Sequence, residues 1–277
     1  MVTLSGQPFI DIRLSFHSYL PNGISSIIAE KLVNHWVEQL KTSPELHDKI
    51  EFEIAITTYS FDINEKIEKL IGDVLSTSEK EEFKGAHLKQ TIQLISDKED
   101  KGSIDKSLDK IQALKNKQER LNYSGCQDNS LSLFEMVDDC INLGTVPFSI
   151  LARHGFIAKT ILLSLGHQNI ITYEDISQIQ ENFQTVASEL ADDMRLLQLG
   201  SLSNNDFMRK YGHLRPGTYD IRSHRYDQMG NFSSSEAISH KVQPVEKFKF
   251  TEVQYEKINN LLVKNGFSNF TANDLLD

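Results

Sequence analysis

Residues 8–20 read Pro8-Phe9-Ile10-Asp11-Ile12-Arg13-Leu14-Ser15-Phe16-His17-Ser18-Tyr19-Leu20. Apolar and polar residues alternate with a period of two, the signature of a half-buried strand. On that reading Ile10, Ile12, Leu14 and Phe16 face the core, while Asp11, Arg13, Ser15 and His17 share the opposite face. Pro21-Asn22-Gly23 supplies a turn, and residues 24–41 repeat apolar side chains at helical spacing: Ile24, Ile27, Ile28, Leu32, Val33, Trp36, Val37 and Leu40. Residues 51–61, EFEIAITTYSF, read as a second strand. Two strands separated by a helix predict an α+β fold, predominantly α-helical, with a small N-terminal β-sheet. The polar strand face is either solvated or, through Arg13 and Ser15, lines a cavity.

Composition sets outer bounds. The chain has 277 residues, of which 39% are hydrophobic, and a net charge of −10. An acidic balance argues against a nucleic-acid footprint, which calls for a basic face. No uninterrupted apolar run approaches the roughly 20 residues of a membrane span, and the opening residues lack a charged-then-apolar leader. Cys126 and Cys140 form neither a disulfide framework nor a zinc spacing. Together these predict a cytoplasmic location.

Residues 62–122 are densely charged and helical in pattern, with Asp62 as a helix cap and the DKEDKG stretch 97–102 as a linker. They predict a protruding helical hairpin within a single 1–277 domain. Residues 148–165, FSILARHGFIAKTILLSL, form the most apolar helix and are expected at the centre. Arg153 interrupts that helix, and a buried arginine needs a partner. An acid such as Asp138 or Asp139 would serve; alternatively Arg153 faces a pocket. Thr251–Lys264 reads as an amphipathic helix ended by Gly266, and residues 270–277 as the start of a further helix.

The chemistry concentrates in Tyr211–Tyr226, YGHLRPGTYDIRSHRY, which holds three arginines, two histidines, three tyrosines and an aspartate with almost no aliphatic residue. Pro216-Gly217 marks a turn. Such a loop is either a buried polar network or a ligand site.

This loop resembles the central domain of the phosphoenolpyruvate-synthase-like phosphotransferases, multidomain enzymes that include rifampin phosphotransferase. The resemblance is closer to a subgroup tied to capsule polysaccharide loci. His213, Arg215, Pro216, Gly217, Thr218, Tyr219, Asp220, Arg225 and Tyr226 match its Tyr-Gly-His-Leu-Arg-Pro-Gly-Thr-Tyr-Asp-Ile and Ser-Pro-Arg-Tyr-Asp segments, and His224 stands where the subgroup carries proline. Gly6, Pro8, Phe9, Asp11, Arg13, Ser15, Phe16 and Ser18 resemble its opening block, and Gly144–Phe148 with Leu151-Ala152-Arg153 and Gly155-Phe156 its third.

The resemblance implies an acceptor-binding domain of an ATP-dependent kinase that passes phosphate through a phosphohistidine. The best-known activity of the subgroup is L-glutamine kinase, which phosphorylates the side-chain amide for phosphoramidate decoration of a capsule. It implies His213 as catalytic base, and Arg13, Ser15, Arg153, Arg215, Thr218, Tyr219, Asp220, Arg225 and Tyr226 as acceptor-binding residues, with arginine suited to a carboxylate and Asp220 to an ammonium. ATP and magnesium are expected for the complete enzyme, and no cofactor or metal in this chain. The expected partners are the small acceptor and the ATP-grasp and phosphohistidine domains of the same protein, with no nucleic acid and no membrane. No Gly-rich phosphate loop precedes a helix here, and no Thr-x-His-x-Ala-type segment occurs, so this stretch alone is expected to be inactive with ATP. Two other classes stand beside this one: a non-catalytic interaction module, and a hydrolase built on His213 and Asp220.

Overall fold

In the computed structural model about 74% of the described residues are helical. The structure describes residues 2–4, 7–95, 102–124, 129–182, 186–215, 222–229, 248–267 and 270–276. The predicted α+β class is incorrect: the protein is all-α. The 8–20 stretch folds as helix α1, Ile12–Tyr19. Asp11 caps it, accepting hydrogen bonds from the backbone N–H groups of Arg13 (3.0 Å) and Leu14 (3.3 Å). Ile10 and Leu14, core residues on the strand reading, are 74% and 65% exposed, whereas Phe16 is 0% exposed. Phe16 and Leu20, four apart and both buried, make a helix stripe. A short ribbon pairs Val2–Leu4 with Gln7–Phe9 in antiparallel register; it forms no core layer and is not the sheet expected from 8–20 and 51–61.

Residues 51–61 do not form a strand either. Helix α3, Ile50–Glu53, takes up their start. From Ile54 to Ser60 every residue is buried, with no alternation. A buried backbone needs hydrogen-bond partners. Near the ends of this segment they are backbone groups, Ala55 N–H donating to the Ile50 carbonyl (2.8 Å) and Ile63 N–H to the Ser60 carbonyl (3.1 Å), and elsewhere side chains. Tyr59 N–H donates to Thr91 Oγ1 (3.3 Å), and Phe61 N–H to Ser164 Oγ (3.3 Å). The Thr57 carbonyl accepts from Arg153 (2.9 Å).

The helices enclose this segment. After α2 (Ser26–Thr42) come α4 (Ile63–Leu70) and α5 (Thr77–Ile95). Helix α6 is Ser103–Ser124 and α7 is Asn129–Asp139; α8 is Val146–His167. α1 packs on α2, α4 on α5, and both α5 and α6 on α8. Within the predicted 62–122 hairpin, α4 and α5 supply the core residues Ile63, Ile67 and Phe83, and α6 packs on α8. The helical path continues through residues 144–147. A π-helical turn, Cys140–Thr145, joins α7 to α8, and Pro147 falls in the first turn of α8, where its missing N–H costs little.

The central helix behaves as expected, with Ile157, Ile161 and Leu165 buried. Leu133–His167 is the described helical run long and apolar enough to cross a membrane by length and composition. Helix α12, Glu252–Lys264, is capped by Thr251 and Gln254 in a reciprocal box, and Gly266 follows at a φ of +83°. Residues 270–277 yield a single 3₁₀ turn, Asn273–Leu275.

The chain divides into two compact units: Met1–Tyr173 with Phe250–Asp277, and Glu174–Lys249. Helix α9, Tyr173–Glu181, lies at the boundary; α10 (Val186–Gln198) and α11 (Asn204–Tyr211) belong to the second unit. Its core is Phe207, Tyr211 and Tyr226, surrounded by Leu190, Met194, Leu197, Leu202, Met208 and Leu214.

Replacing Thr91 by valine keeps the volume and strands the Tyr59 N–H. It is expected to destabilise the fold by about 1–3 kcal/mol, the cost of an unsatisfied buried donor; chemical denaturation of the two proteins measures it.

Candidate functional site

Arg153 sits in the middle of α8 with its guanidinium turned toward α1 and the buried segment. One terminal nitrogen donates to the Thr57 carbonyl (2.9 Å) and the other to the Ser18 carbonyl (2.5 Å). Neither expected acid is its partner: Asp139 pairs with Lys117 at 2.5 Å, and among the described residues Arg153 forms no ion pair. Its charge is thus met by two carbonyl dipoles and not by a carboxylate. Burial pushes its pKa down, opposed by the nearby Tyr19.

Three aromatic rings extend from this point. Tyr19 meets Phe156 edge-on at 6.4 Å, Phe156 meets Phe52 at 5.6 Å, and Lys159 Nζ stands 3.9 Å from the centre of the Phe52 ring. Arg153, Phe156 and Lys159 are thus spaced three apart along α8. Tyr19 is pushed up by burial and by Glu51. Behind the guanidinium lies His87 of α5, 1% exposed and edge-on to Phe83. Burial, reinforced by the charge of Arg153, lowers its pKa to about 3, so the ring is neutral in the folded protein. His87 Nε2 and Thr58 Oγ1 are both buried with no hydrogen-bond partner among the described residues.

The other two first-unit residues singled out from sequence have local roles. Arg13 is exposed and donates to Asn34 Oδ1 of α2 at 2.7 Å. Ser15 Oγ donates to the Asp11 carbonyl at 3.2 Å, inside its own helix. In a strand these two would share a face; in α1, two residues at 100° each, they do not.

The 211–226 loop belongs to the second unit. Its base is stapled by backbone bonds from Tyr226 N–H to the Leu214 carbonyl (2.9 Å) and from Asp227 N–H to the Gly212 carbonyl (3.1 Å). A Cβ on Gly212 would come within 2.4 Å of the Met208 carbonyl oxygen and 3.1 Å of Asp227 Cβ, so glycine permits this close approach. Tyr211 and Tyr226 are core residues, and the Tyr211 hydroxyl donates to Asp193 (2.8 Å), which Lys210 also meets at 2.8 Å. These two bonds hold the Asp193 carboxyl below its usual range.

Arg215 is half-buried and donates through Nε to the Ser223 carbonyl at 2.9 Å. Arg225 forks onto Asp227 at 2.9 and 2.7 Å. His213 is exposed and makes no hydrogen bond with the described residues. Thr218, Tyr219 and Asp220 lie outside the described residues, as do Pro216 and Gly217. Arg13, Ser15 and Arg153 therefore stand in one unit and the loop in the other.

Sequence reading missed His87, Tyr19 and Thr58. His87 lies in a charged helix pattern, and only its i−4 neighbour Phe83 hinted at the buried face. Among the described residues no group of three or more His, Cys, Asp or Glu is arranged to hold a metal ion. No family model, curated protein or solved structure matches the chain.

His87 carries a pH signature. Its folded pKa, about 3, lies below the ordinary 6.5, so the unfolded chain binds a proton that the folded state refuses. The stability from keeping it neutral is complete above pH 6.5 and falls as pH drops toward 3. In His87→Leu the stability-versus-pH curve is expected to flatten across that window; urea denaturation at a series of pH values reads it directly.

Proposed function

We propose that the chain is the acceptor-binding part of a phosphotransferase of the phosphoenolpyruvate-synthase-like kind, and that its acceptor is a small amino acid, L-glutamine in the first instance. The observation that carries this reading is Arg153. It comes from the third of the three blocks behind the family resemblance, and it bonds the Ser18 carbonyl at the end of the first block. Two blocks recognised separately in the sequence thus meet at one guanidinium that has no acid partner among the described residues.

A guanidinium held by carbonyls keeps its charge unneutralised while its orientation is fixed. That is what recognition of a carboxylate requires, because the bidentate fork is set before the ligand arrives. Tyr19, close enough to perturb the guanidinium, adds a hydroxyl. In the second unit, taken by itself, the exposed His213 is the group we assign as a general base at the loop. Arg215 and Arg225 supply charge for the transferring phosphoryl group. Arg225 would exchange Asp227 for that ligand, and an ion pair with both partners about one-third exposed is held weakly, by about 0–1 kcal/mol. The phosphoryl donor comes from other domains.

A second reading, as an interaction module, draws support from the apolar side chains of Leu133, Phe134, Val137 and Phe148, all exposed along α7 and α8.

Calorimetry of the purified chain against a panel of amino acids separates the two. The acceptor reading expects binding of L-glutamine without ATP. Arg153→Lys keeps a charge but loses the fork, and is expected to weaken that binding by about 1.5–3 kcal/mol. His213→Ala should leave the affinity near normal and lower turnover in the complete enzyme by about 10²–10⁴-fold. Absence of binding to every member of the panel would favour the module.

A further inference from the structure

Asp62 occupies the position before α4, where sequence predicts a helix cap, yet its side chain makes no capping hydrogen bond. It faces α8 instead. Asp62 Oδ2 lies 2.6 Å from His167 Nδ1, in the last turn of that helix. Lys66 Nζ stands 3.2 Å from the other carboxylate oxygen and donates to Ser60 Oγ at 3.2 Å. The two partners differ sharply in solvent access: the carboxylate side chain is 6% exposed and the imidazole 46%. The ring of Tyr173 stands edge-on to the imidazole at 6.5 Å.

Burial pushes the Asp62 carboxyl up, but the bond to His167 together with the nearby Ser60 and Lys66 outweighs it and holds the group below its usual range. Asp62 is therefore ionised at neutral pH, and an ionised carboxylate only accepts hydrogen bonds. The proton between the two groups must be on Nδ1. In the neutral ring Nε2 then carries the lone pair, and it has no partner among the described residues. A neutral imidazole left to itself in water prefers the opposite tautomer. Joining α4 to α8 needs only a donor, which lysine or arginine would provide. Histidine adds a basic nitrogen with access to water, backed by a buried charge.

We propose that Asp62 and His167 form a reactive-histidine dyad, outside the acceptor residues above, at which Nε2 takes an acyl group from a small activated acyl compound. The Nε2 lone pair forms a bond to the acyl carbon, and the bond from that carbon to the leaving group breaks, its electron pair departing with the leaving group. The positive charge that develops on the ring is stabilised by the Asp62 carboxylate through the Nδ1 proton. Water then takes the acyl group, a proton is released and the imidazole is restored. Lys66 keeps Asp62 in its charged form throughout.

Diethyl pyrocarbonate is the probe, applied to the whole chain with the modified histidines quantified by mass spectrometry. His167 is expected to react about tenfold faster than the exposed His17 and His47, and Asp62→Asn to remove that advantage while Asp62→Glu restores part of it. A rate at His167 equal to that of His17 and His47, or one unaffected by Asp62→Asn, overturns the proposal. Should Asp62→Asn fail to fold, ring ¹⁵N shifts of the unaltered protein decide: Nδ1 protonated with Nε2 bare supports the dyad, and the reverse tautomer overturns it.

Discussion

The first unit depends on satisfying the backbone of residues 54–62. The buried part of this segment, 54–60, has no neighbouring strand among the described residues, so part of the hydrogen bonding that a sheet would provide comes from helix side chains instead. Thr91 of α5, Ser164 and Arg153 of α8, and Asn265 just beyond α12 each reach it, the last through the Tyr59 hydroxyl at 2.5 Å. Phe267 adds ring contacts to Tyr59 at 5.9 Å and to Phe61 at 6.2 Å. Leaving one such group unpaired costs about 1–3 kcal/mol, a sizeable part of the about 5–15 kcal/mol by which domains are stable. Helices far apart in sequence are thereby fixed against one another through a shared partner. The chain returns after the second unit to complete the arrangement with Asn265 and Phe267.

The same requirement explains why polar side chains cluster in this core. Thr57, Thr58, Ser60, Asp62, His87, Thr91 and Ser164 are all buried around or within the segment. A polar interior lowers the cost of burying the guanidinium of Arg153, because oriented carbonyls replace part of its lost hydration. It also bears on His87: burial, reinforced by the charge of Arg153, keeps the imidazole neutral. Arg153 thus has a structural role through the two carbonyls it binds, and its charge meets no carboxylate among the described residues. An arginine serving only as a clamp would lower its burial cost further with a carboxylate.

Some of this was legible in the sequence. The apolar run of α8 and the Thr251 cap of α12 declare themselves, because helix period, cap and stop agree. The 8–20 stretch misleads because Ile12, Phe16 and Leu20 fit both templates, each being a multiple of two and of four apart. The deciding information is the Asp11 cap, which was instead read as part of a polar strand face. Residues 51–61 have the β-branched and aromatic composition of a strand. What sequence could not give was a pairing partner, since Thr91 and Ser164 lie 32 and 103 residues away from the groups they satisfy. Arg153 was visible as a break in an apolar helix, but a partnership with carbonyls leaves no sequence trace. The pairing of Asp62 with His167, 105 residues apart, leaves none either.

The 211–226 loop shows how a dense polar motif divides between fold and chemistry once its contacts are known. Tyr211 and Tyr226 close the second unit's core with Phe207, the rings of Phe207 and Tyr211 5.0 Å apart and those of Phe207 and Tyr226 6.3 Å apart. Gly212 is required by the close approach of Met208 and Asp227, and Arg225 has Asp227. The Tyr226 and Asp227 bonds to Leu214 and Gly212 hold the two ends of the loop together, fixing its base independently of any ligand. His213 stands one residue from that base, exposed and without a hydrogen-bond partner among the described residues. Its backbone is therefore anchored on both sides by Gly212 and Leu214 while its ring remains unused by the fold. That combination, a fixed backbone and an uncommitted side chain, separates His213 from the structural members of its own motif, and is why it is assigned the proton-transfer role.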